Sequence, residues 1–174
     1  IDDLMVRRIF GAAGAVVVVE AFVPGPEVSL FALCDGAKAV LLGAVRDHKT
    51  LLEGGRGPNT GRMGAVCPPP GFSLEAQAAI MDQMIRPVVA HLAREDHPYR
   101  GFIYGGIKLG PHGPTLLEWN VRLGDPEAQA LLPILGGDLG QLLLDAARGE
   151  LKGEPIPPPR SWAVAVVLAA QGYP

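Results

Sequence analysis

Two predicted β-hairpins constrain the fold of this chain more than any other feature. Apolar runs at 28–34 and 39–45 flank Asp35-Gly36, a dipeptide that suits the positive φ angles of a tight turn. A second pair of strand-like runs, at 102–109 and 115–120, flanks a Gly-Pro-His-Gly-Pro turn. Each pair predicts two antiparallel strands, so the sheet of this chain should be mostly antiparallel.

Two helices are predicted to accompany these hairpins. Apolar residues recur at helical spacing over 73–94, where Ser73 can cap the first turn and Pro87 should kink the helix. A second helix is predicted from the cap Asp138 to about Arg148, with Gln141 at the reciprocal capping position and Gly149 as the stop. Helices of this kind should pack on the sheet.

Three other segments complete the predicted order of elements. The spacing of apolar residues predicts a short amphipathic helix over 1–12, ended by Gly14. The β-branched run 15–22 predicts a mostly buried strand. Segment 47–71 is rich in glycine and in cations and is predicted to be a long functional loop. The run 162–170 is strand-like.

Composition excludes several classes of protein. A length of 174 residues fits one domain, and 15 basic against 18 acidic residues give a net charge of −3, so no nucleic-acid partner is expected. The two cysteines lack the spacing of a disulfide scaffold or a zinc site. The sequence carries no signal of export or membrane insertion, and we expect a cytoplasmic protein with no membrane partner.

A row of alternating polar residues predicts a metal and phosphate site. If the run 116–122 is a strand, then Glu118, Asn120 and Arg122 share one face. The opposite face would anchor the row on a core through Leu117, Trp119 and Val121. Carboxylate and amide oxygens suit Mg²⁺, and an arginine suits the charge on a transferring phosphoryl group. From spacing alone, a strand with one solvated face is the more common explanation.

Two other candidate features leave alternatives open. The glycines at 57 and 61 let backbone amides close around an anion, but no Walker A sequence follows, and a mobile surface loop fits equally well. Glu27 stands at the start of a strand, where it would accept hydrogen bonds from sugar hydroxyls or lie exposed at a sheet edge.

Six segments, taken in order, resemble the ATP-grasp portion of the phosphoribosylamine-glycine ligases, also called glycinamide ribonucleotide synthetases. They span nearly the whole chain. The loop Gly-Pro-Asn-Thr-Gly and the run Asn-x-Arg-x-Gly-Asp-Pro-Glu are specific to these ligases, whereas Glu-x-Asn-x-Arg alone marks ATP-grasp enzymes more broadly. The matching segments are 16–22, 25–29, 46–49, 57–65, 118–127 and 168–174.

This resemblance implies an α+β fold, the larger lobe of an ATP-grasp enzyme, with a mostly antiparallel sheet and packed helices. It implies that the chain is a piece of a longer multidomain protein, whose missing domains would be its partners. The expected division is an incomplete lobe over 1–154, followed over 155–174 by a linker and the first strand of a C-terminal domain.

The implied reaction belongs to purine biosynthesis and uses ATP with Mg²⁺ or Mn²⁺. ATP phosphorylates glycine, and the amine of 5-phosphoribosylamine attacks the glycyl phosphate to give glycinamide ribonucleotide, ADP and phosphate. The resemblance implies nucleotide contacts at Glu20, Ala21, Phe22 and Glu27, metal ligands at Glu118 and Asn120, and catalytic roles for Arg122 and Asp125. The implied substrate-binding residues are Asp47, Lys49, Asn59, Thr60, Gly61, Met63, Gly124 and Pro126.

The chain departs from the family pattern at three places. Ala21 stands where the family often has a second glutamate, and Arg62 replaces a glycine of the loop. The family's small lobe, with its phosphate-facing lysine, would precede Ile1, and much of its last domain would follow Pro174. The isolated chain is therefore expected to be inactive. The alternatives are a non-catalytic fragment or binding module and an ATP-grasp ligase with another amine acceptor.

Overall fold

A computed structural model describes residues 1–153 and 156–174, and within them a single antiparallel sheet of six strands organises the fold. The strands are β1 (Glu27–Asp35), β2 (Ala39–Leu52), β3 (Arg56–Cys67), β4 (Arg100–Gly110), β5 (Gly113–Asn120) and β6 (Ala163–Val166). Their spatial order is β5-β4-β1-β2-β3-β6, and every neighbouring pair is antiparallel. The predicted antiparallel sheet is confirmed.

Helices cover both faces of this sheet. They are α1 (Leu74–Ile80), α2 (Arg86–Arg94), α3 (Glu127–Leu131) and α4 (Leu139–Arg148). Alternate residues of β1 point to opposite layers: Leu30 belongs to the core under α1 and α2, and Phe31 to the core under α3 and α4. Polar residues on the face that carries α3 and α4 form the candidate site.

The turn of the first hairpin is closed by an aspartate and a glycine. Oδ1 of Asp35 accepts hydrogen bonds from the backbone N–H groups of Ala37, at 2.9 Å, and Lys38, at 2.7 Å. Gly36 has φ of 104°, which glycine adopts without strain. Both predicted hairpins, β1–β2 and β4–β5, are confirmed.

The predicted helix starts and stops are largely confirmed. Oγ of Ser73 accepts from the Ala76 N–H at 3.2 Å, and Oδ1 of Asp138 accepts from the Gln141 N–H at 3.0 Å. Between α1 and α2 lies one π-helical turn, Met81–Ile85, placed just before Pro87, which cannot donate to an α-helical ladder. The reciprocal half of the second cap is wrong, because the Gln141 side chain donates to Asp145 at 2.6 Å instead.

The predictions for the first 22 residues are wrong. Two short turns, Asp2–Val6 and Gly11–Ala15, replace the single helix, and Arg8 between them has φ of 50°. Residues 16–22 form no strand, and the side chain of Phe22 is 89% exposed. A β-branched run favours extended backbone, but a strand also needs a neighbour to pair with, and none of the described strands pairs with it.

The predicted long loop at 47–71 is mostly a hairpin. β2 continues to Leu52, a 3₁₀ turn covers Glu53–Gly55, and β3 returns along β2 with irregular register. Glycine and proline lower the intrinsic strand preference of this segment, but main-chain pairing with β2 overrides that preference. The candidate residues of the loop therefore have fixed positions beside β2.

The C-terminal run does contain a strand, shorter than predicted. β6 pairs with β3 and so extends the same sheet. The predicted domain boundary, between residues 154 and 155, lies outside the described residues, and the assignment of 155–174 to a further domain stays a prediction.

In the described part of the chain no single helix is long and apolar enough to cross a membrane. The segment of α3 and its following turn passes that test only together with α4, and the two are bent by 105°.

Candidate functional site

A row of alternating cations and anions crosses four adjacent strands on the face that carries α3 and α4. Glu27 on β1 lies opposite Lys108 of β4 in the strand register, and Oε2 of Glu27 is 3.7 Å from Nζ of Lys108. Oε1 of the same carboxylate accepts a hydrogen bond from Lys49 of β2. Nζ of Lys49 is also 4.0 Å from Oδ2 of Asp47, two residues earlier on the same face of β2.

Arg62 continues this row from β3 to α3. Its Nε donates to Oδ2 of Asp47 at 2.7 Å, and its NH2 group is 3.2 Å from Oε1 of Glu127. The backbone around it is fixed by Thr60, whose Oγ1 accepts from the Arg62 N–H at 3.0 Å and donates to the carbonyl of Lys49 at 2.9 Å. The row therefore holds three cations and three carboxylates in one connected network.

Glu127 is the most deeply buried charge of the network, with no exposed side-chain surface. Ser29 of β1 donates to its Oε1 at 3.5 Å, and Oε2 has no hydrogen-bond partner within the described residues. Burial raises the pKa of Glu127, although the charge of Arg62 opposes the rise. Gly124 makes room for this carboxylate: a Cβ at that position would lie 2.5 Å from Cδ of Glu127.

The two cations nearest Asp47 stay protonated despite partial burial. Burial lowers the pKa of Lys49, but the hydrogen bond that Lys49 donates to Glu27 and the charge of Asp47 outweigh burial and raise the pKa overall. Burial also lowers the pKa of Arg62, but the hydrogen bond to Asp47 and the charge of Glu127 outweigh burial and raise the pKa overall. Both groups therefore remain positive near neutral pH.

The predicted metal ligands lie side by side at the end of β5. Nδ2 of Asn120 donates to Oε1 of Glu118 at 3.0 Å, so both side chains project from the same face. In the β4–β5 register Asn120 faces Tyr104, and Glu118 faces Gly106. Asn120 is half-buried and Glu118 exposed, which leaves carboxylate and amide oxygens open on that face.

The prediction that the opposite face of β5 anchors Glu118, Asn120 and Arg122 on a core is partly wrong. Leu117 is 42% exposed and Val121 is 66% exposed, so neither fills a core. The β4–β5 register shifts between Gly106 and Ile107, and this bulge lets Leu116 pack against the α1–α2 core together with Trp119. A one-residue shift in pairing is not visible in the spacing of the sequence.

Arg122 lies just past the end of β5 and folds back over the same face. Its Cζ is 6.0 Å from the centre of the Tyr104 ring, within the range of a cation–π contact. Its NH1 group donates to the carbonyl of Leu123 at 3.0 Å. The guanidinium is exposed, so it can meet a ligand on the side of Glu118 and Asn120.

The donor set at this position suits magnesium. No cluster of three or more His, Cys, Asp and Glu side chains able to hold a metal occurs among the described residues. Mg²⁺ usually binds through one or two protein oxygens and completes its shell with water and phosphate oxygens. Glu118 and Asn120 provide two adjacent oxygen ligands, which fit an ion delivered with a nucleotide and not an all-protein cage.

The segment before α3 forms one wall of an open cavity beside Arg62. Gly124 accepts the Ala128 N–H at 2.9 Å, and Pro126 caps α3. Asp125 is exposed and accepts from the Gln129 side chain at 2.8 Å. The cavity has a volume of about 280 Å³ and is lined by Gly61, Arg62, Asp125, Pro126, residues 167–169 and Tyr173.

Some predicted residues are not brought to this network. Glu20, Ala21 and Phe22 lie in the exposed stretch before β1, and within the described residues none of them makes a side-chain hydrogen bond or ion pair to the network. Asn59 is exposed and pairs with Thr50. Met63 lines a separate cavity with Arg46 and His48. Gly61 reaches the Arg62 cavity, where its N–H donates to Tyr173 at 2.9 Å.

Sequence reasoning missed four members of the site, namely Ser29, Tyr104, Lys108 and Glu127, and it considered Arg62 only as a cation of the loop and a departure from the family pattern. Ser29 shares its strand face with Glu27, so the alternation of β1 could have identified it. The others need the pairing of distant strands or the docking of α3. No sequence spacing supplies that information.

The architecture belongs to the ATP-grasp fold, in which this chain forms the larger lobe. A biotin carboxylase domain of the Hydrogenobacter thermophilus 2-oxoglutarate carboxylase, solved with ADP, MgADP and bicarbonate, has a TM-score of 0.59 at 15% identity, over 83% of this chain and 30% of that one. This likeness shows the fold alone.

Sequence comparison is more specific. The profile of the phosphoribosylglycinamide synthetase ATP-grasp (A) domain matches residues 1–128, and the chain belongs to that family. A phosphoribosylamine–glycine ligase of Caulobacter vibrioides is 49% identical over 170 residues, which are 95% of this chain. The crystal structure of the Thermotoga maritima phosphoribosylamine–glycine ligase has a TM-score of 0.79 at 37% identity, covering 99% of this chain.

These relatives are longer proteins. The chain spans 39% of the Caulobacter ligase and 44% of the Thermotoga chain. The family match over residues 1–128 includes the site face described above.

Proposed function

We propose that this chain is part of an ATP-dependent carbon–nitrogen ligase that joins glycine to 5-phosphoribosylamine. The products are glycinamide ribonucleotide, ADP and phosphate, in purine biosynthesis. The single observation that carries the proposal is the shared face on which Glu118 and Asn120 stand beside the row of ion pairs, in a chain of the phosphoribosylglycinamide synthetase family.

The nucleotide would bind with its metal at the end of β5. The adjacent oxygen ligands of Glu118 and Asn120 support a magnesium nucleotide here. Glu118 and Asn120 would hold Mg²⁺ or Mn²⁺, and the ion would neutralise phosphate charge during transfer. Arg122 is exposed on the same face and would stabilise the transferring phosphoryl group.

The remaining nucleotide contacts would come from the stretch before β1 and from its first residue. Glu20, Ala21 and Phe22 are exposed and would offer backbone groups to the adenine. Glu27 would accept from ribose hydroxyls while Lys49 and Lys108 hold its carboxylate in place. With Ala21 in place of a glutamate, recognition of the adenine amine would depend on backbone groups.

The substrates would bind between the ion-pair row and the segment before α3. A glycine carboxylate oxygen attacks the γ-phosphorus of ATP and ADP leaves; the amine nitrogen of phosphoribosylamine then attacks the acyl carbon and phosphate leaves. Asp47, Lys49 and Asp125 would orient these groups. Asn59, Thr60, Gly61 and Met63, with Gly124 and Pro126, would shape the walls. Catalysis would come from positioning and electrostatics.

Glycine-dependent ADP release tests this function. The protein expressed from its complete reading frame should release ADP and form the amide only when glycine, phosphoribosylamine and Mg²⁺ are all present. The 174-residue chain alone should release little or none. Amide formation with a different amine but not with phosphoribosylamine would identify another ligase of the same fold.

A second candidate function, a binding module without chemistry, is favoured by one observation. Arg62 places a cation between Asp47 and Glu127, where the substrates would otherwise contact those carboxylates. Nucleotide binding without any amide formation by the complete protein would support this candidate.

We also place the protein in the reducing cytoplasm. Cys34 and Cys67 are free and buried, and burial raises the pKa of each thiol to about 12. Such thiols are inert structural groups, and free cysteines support a reducing compartment.

A further inference from the structure

Arg62 is held in a backbone conformation that its side chain disfavours. Its φ is 102°, in the left-handed region that glycine adopts freely and other residues rarely do. The side chain is only 18% exposed, and its guanidinium contacts Asp47 and Glu127. The contacts of the charged head therefore offset an unfavourable backbone.

The two carboxylates come from different elements and converge on this one guanidinium. The side chain of Asp47, on β2, is 2% exposed, and that of Glu127, on α3, is fully buried. Buried carboxylates require N–H donors or cations nearby. Arg62 serves one oxygen of each, and Oε2 of Glu127 has no partner in the part of the chain that the structure describes.

We propose that Asp47 and Glu127 form a subsite for a ligand ammonium group, and that the guanidinium of Arg62 is its internal occupant. The ammonium group of an amine or amino acid, R–NH3+, has three N–H donors and no acceptor, which matches two carboxylates with an unused oxygen. Identifying the ligand as the amino group of glycine rests on the proposed function; the subsite itself does not. Because one position serves both cations, Arg62 lowers the affinity for the amino acid.

The adjoining cavity reaches the guanidinium that occupies the subsite. Arg62 lines that open cavity with Asp125 and Pro126, so a small ligand can reach the guanidinium from solvent. The opposite role for Arg62 would be to bind an anionic group of the ligand through its remaining N–H donors. The two roles predict opposite changes in affinity when the guanidinium is removed.

The direct test is Arg62→Gly in the protein expressed from its complete reading frame. Glycine suits the φ of this position, so the variant should fold. Calorimetry with glycine, in the presence of Mg²⁺ and a non-hydrolysable ATP analogue, should show about tenfold tighter binding, the worth of one charge-assisted hydrogen bond. Arg62→Lys keeps a cation there and should bind glycine as weakly as the parent.

Arg56→Gly is the matched control, since Arg56 starts the same strand, is exposed and makes its side-chain hydrogen bond, among the described residues, to the Glu53 carbonyl. It should leave glycine affinity unchanged. Unchanged or weaker glycine binding by Arg62→Gly would overturn the proposal, and clearly weaker binding would identify Arg62 as an anion-binding residue.

A second measurement does not depend on ligase activity. Methylammonium ion at low millimolar concentration should raise the melting temperature of Arg62→Gly and not that of the parent or of Arg56→Gly, because its ammonium group takes the vacated position between the two carboxylates. Absence of this selective stabilisation would overturn the subsite. Selective stabilisation in a protein that forms no amide would uphold the subsite and reject the proposed reaction.

Discussion

Asp35 and Leu151 are joined across 116 positions of the chain by one hydrogen bond, from the Leu151 N–H to Oδ2 of Asp35 at 3.1 Å. Oδ1 of the same carboxylate closes the β1–β2 turn through two backbone N–H groups. One buried aspartate thus fixes both the first hairpin and the chain that leaves α4. The carboxylate is a structural group, and its effect on stability can be measured directly.

Asp35→Asn should destabilise the fold by about 2 kcal/mol, since hydrogen bonds to a charged group are lost. Although burial opposes it, the three backbone hydrogen bonds lower the pKa of Asp35 from 3.8. A lowered acid pKa gives stability that is present above pH 3.8 and is lost as the pH falls through the folded value. Urea unfolding of both proteins between pH 2 and 7, about the range of this titration, measures the effect.

If the difference between parent and Asp35→Asn did not shrink on acidification, the assigned role of the carboxylate would be wrong. Asp96→Asn is the control, because Asp96 is exposed and makes no side-chain hydrogen bond or ion pair to the described residues.

Glu118→Gln should weaken magnesium-dependent nucleotide binding by about tenfold or more, because an anionic oxygen ligand is replaced by a neutral one. Glu118 is exposed, so the melting temperature should stay within about 1–2 °C of the parent. Fluorescence titration of a nucleotide analogue with and without Mg²⁺ measures the effect in the complete protein.

Glu95→Gln removes another exposed carboxylate, just after α2, and should leave nucleotide binding unchanged. Equal affinities in Glu118→Gln and the parent would reject Glu118 as a metal ligand.

Gly124→Ala should destabilise the fold by about 1–3 kcal/mol through overpacking. The added Cβ would lie 2.5 Å from Cδ of the buried Glu127, which has little room to move. Thermal unfolding measures the loss. Gly140→Ala, in the first turn of α4, is the contrasting variant and should cost less, because its Cβ would meet only Oδ1 of the exposed Asp138, at 3.3 Å, and alanine favours the helix. Equal effects of the two alanines would show that α3 shifts freely.

Glu127→Gln should gain stability relative to the parent as the pH rises. Burial raises the pKa of Glu127 above 4.5, so the folded state binds its proton more tightly than the unfolded chain does. The stability that this proton gives is present below pH 4.5 and is lost as the pH rises through the folded value. Glutamine does not ionise, so the variant does not lose stability in this way as the pH rises.

Denaturant unfolding of the Glu127→Gln variant and the parent at about pH 4 and 7 compares these two states directly. A stability difference that moves in favour of the parent at the higher pH would mean that the Arg62 ion pair outweighs the burial of the charge.

Local signals predicted the parts of the fold that local chemistry determines. Asp35-Gly36 gave the first hairpin, and Ser73 and Asp138 gave the two helix starts, because turn and cap residues satisfy backbone groups within a few positions. The stretch 16–22 and the segment 47–71 were predicted wrongly, since strand formation depends on a pairing partner that lies elsewhere in the chain.

The same limit applies to the site. The spacing of Glu118 and Asn120 placed them on one face, and their hydrogen bond agrees with that. The ion pair of Arg62 with Glu127 joins β3 to α3 across 65 positions, so it depends on how the helix packs and not on any repeat in the sequence. Roles assigned to individual site residues remain predictions for the experiments above.

The ion-pair row runs across the strands, so Lys108, Glu27, Lys49 and Arg62 each belong to a different strand. A slip of a single residue in any one strand would turn its charge toward the α1–α2 layer. The charge row therefore forms only when all four strands pair in the correct register. Ligand binding on this face would report that register.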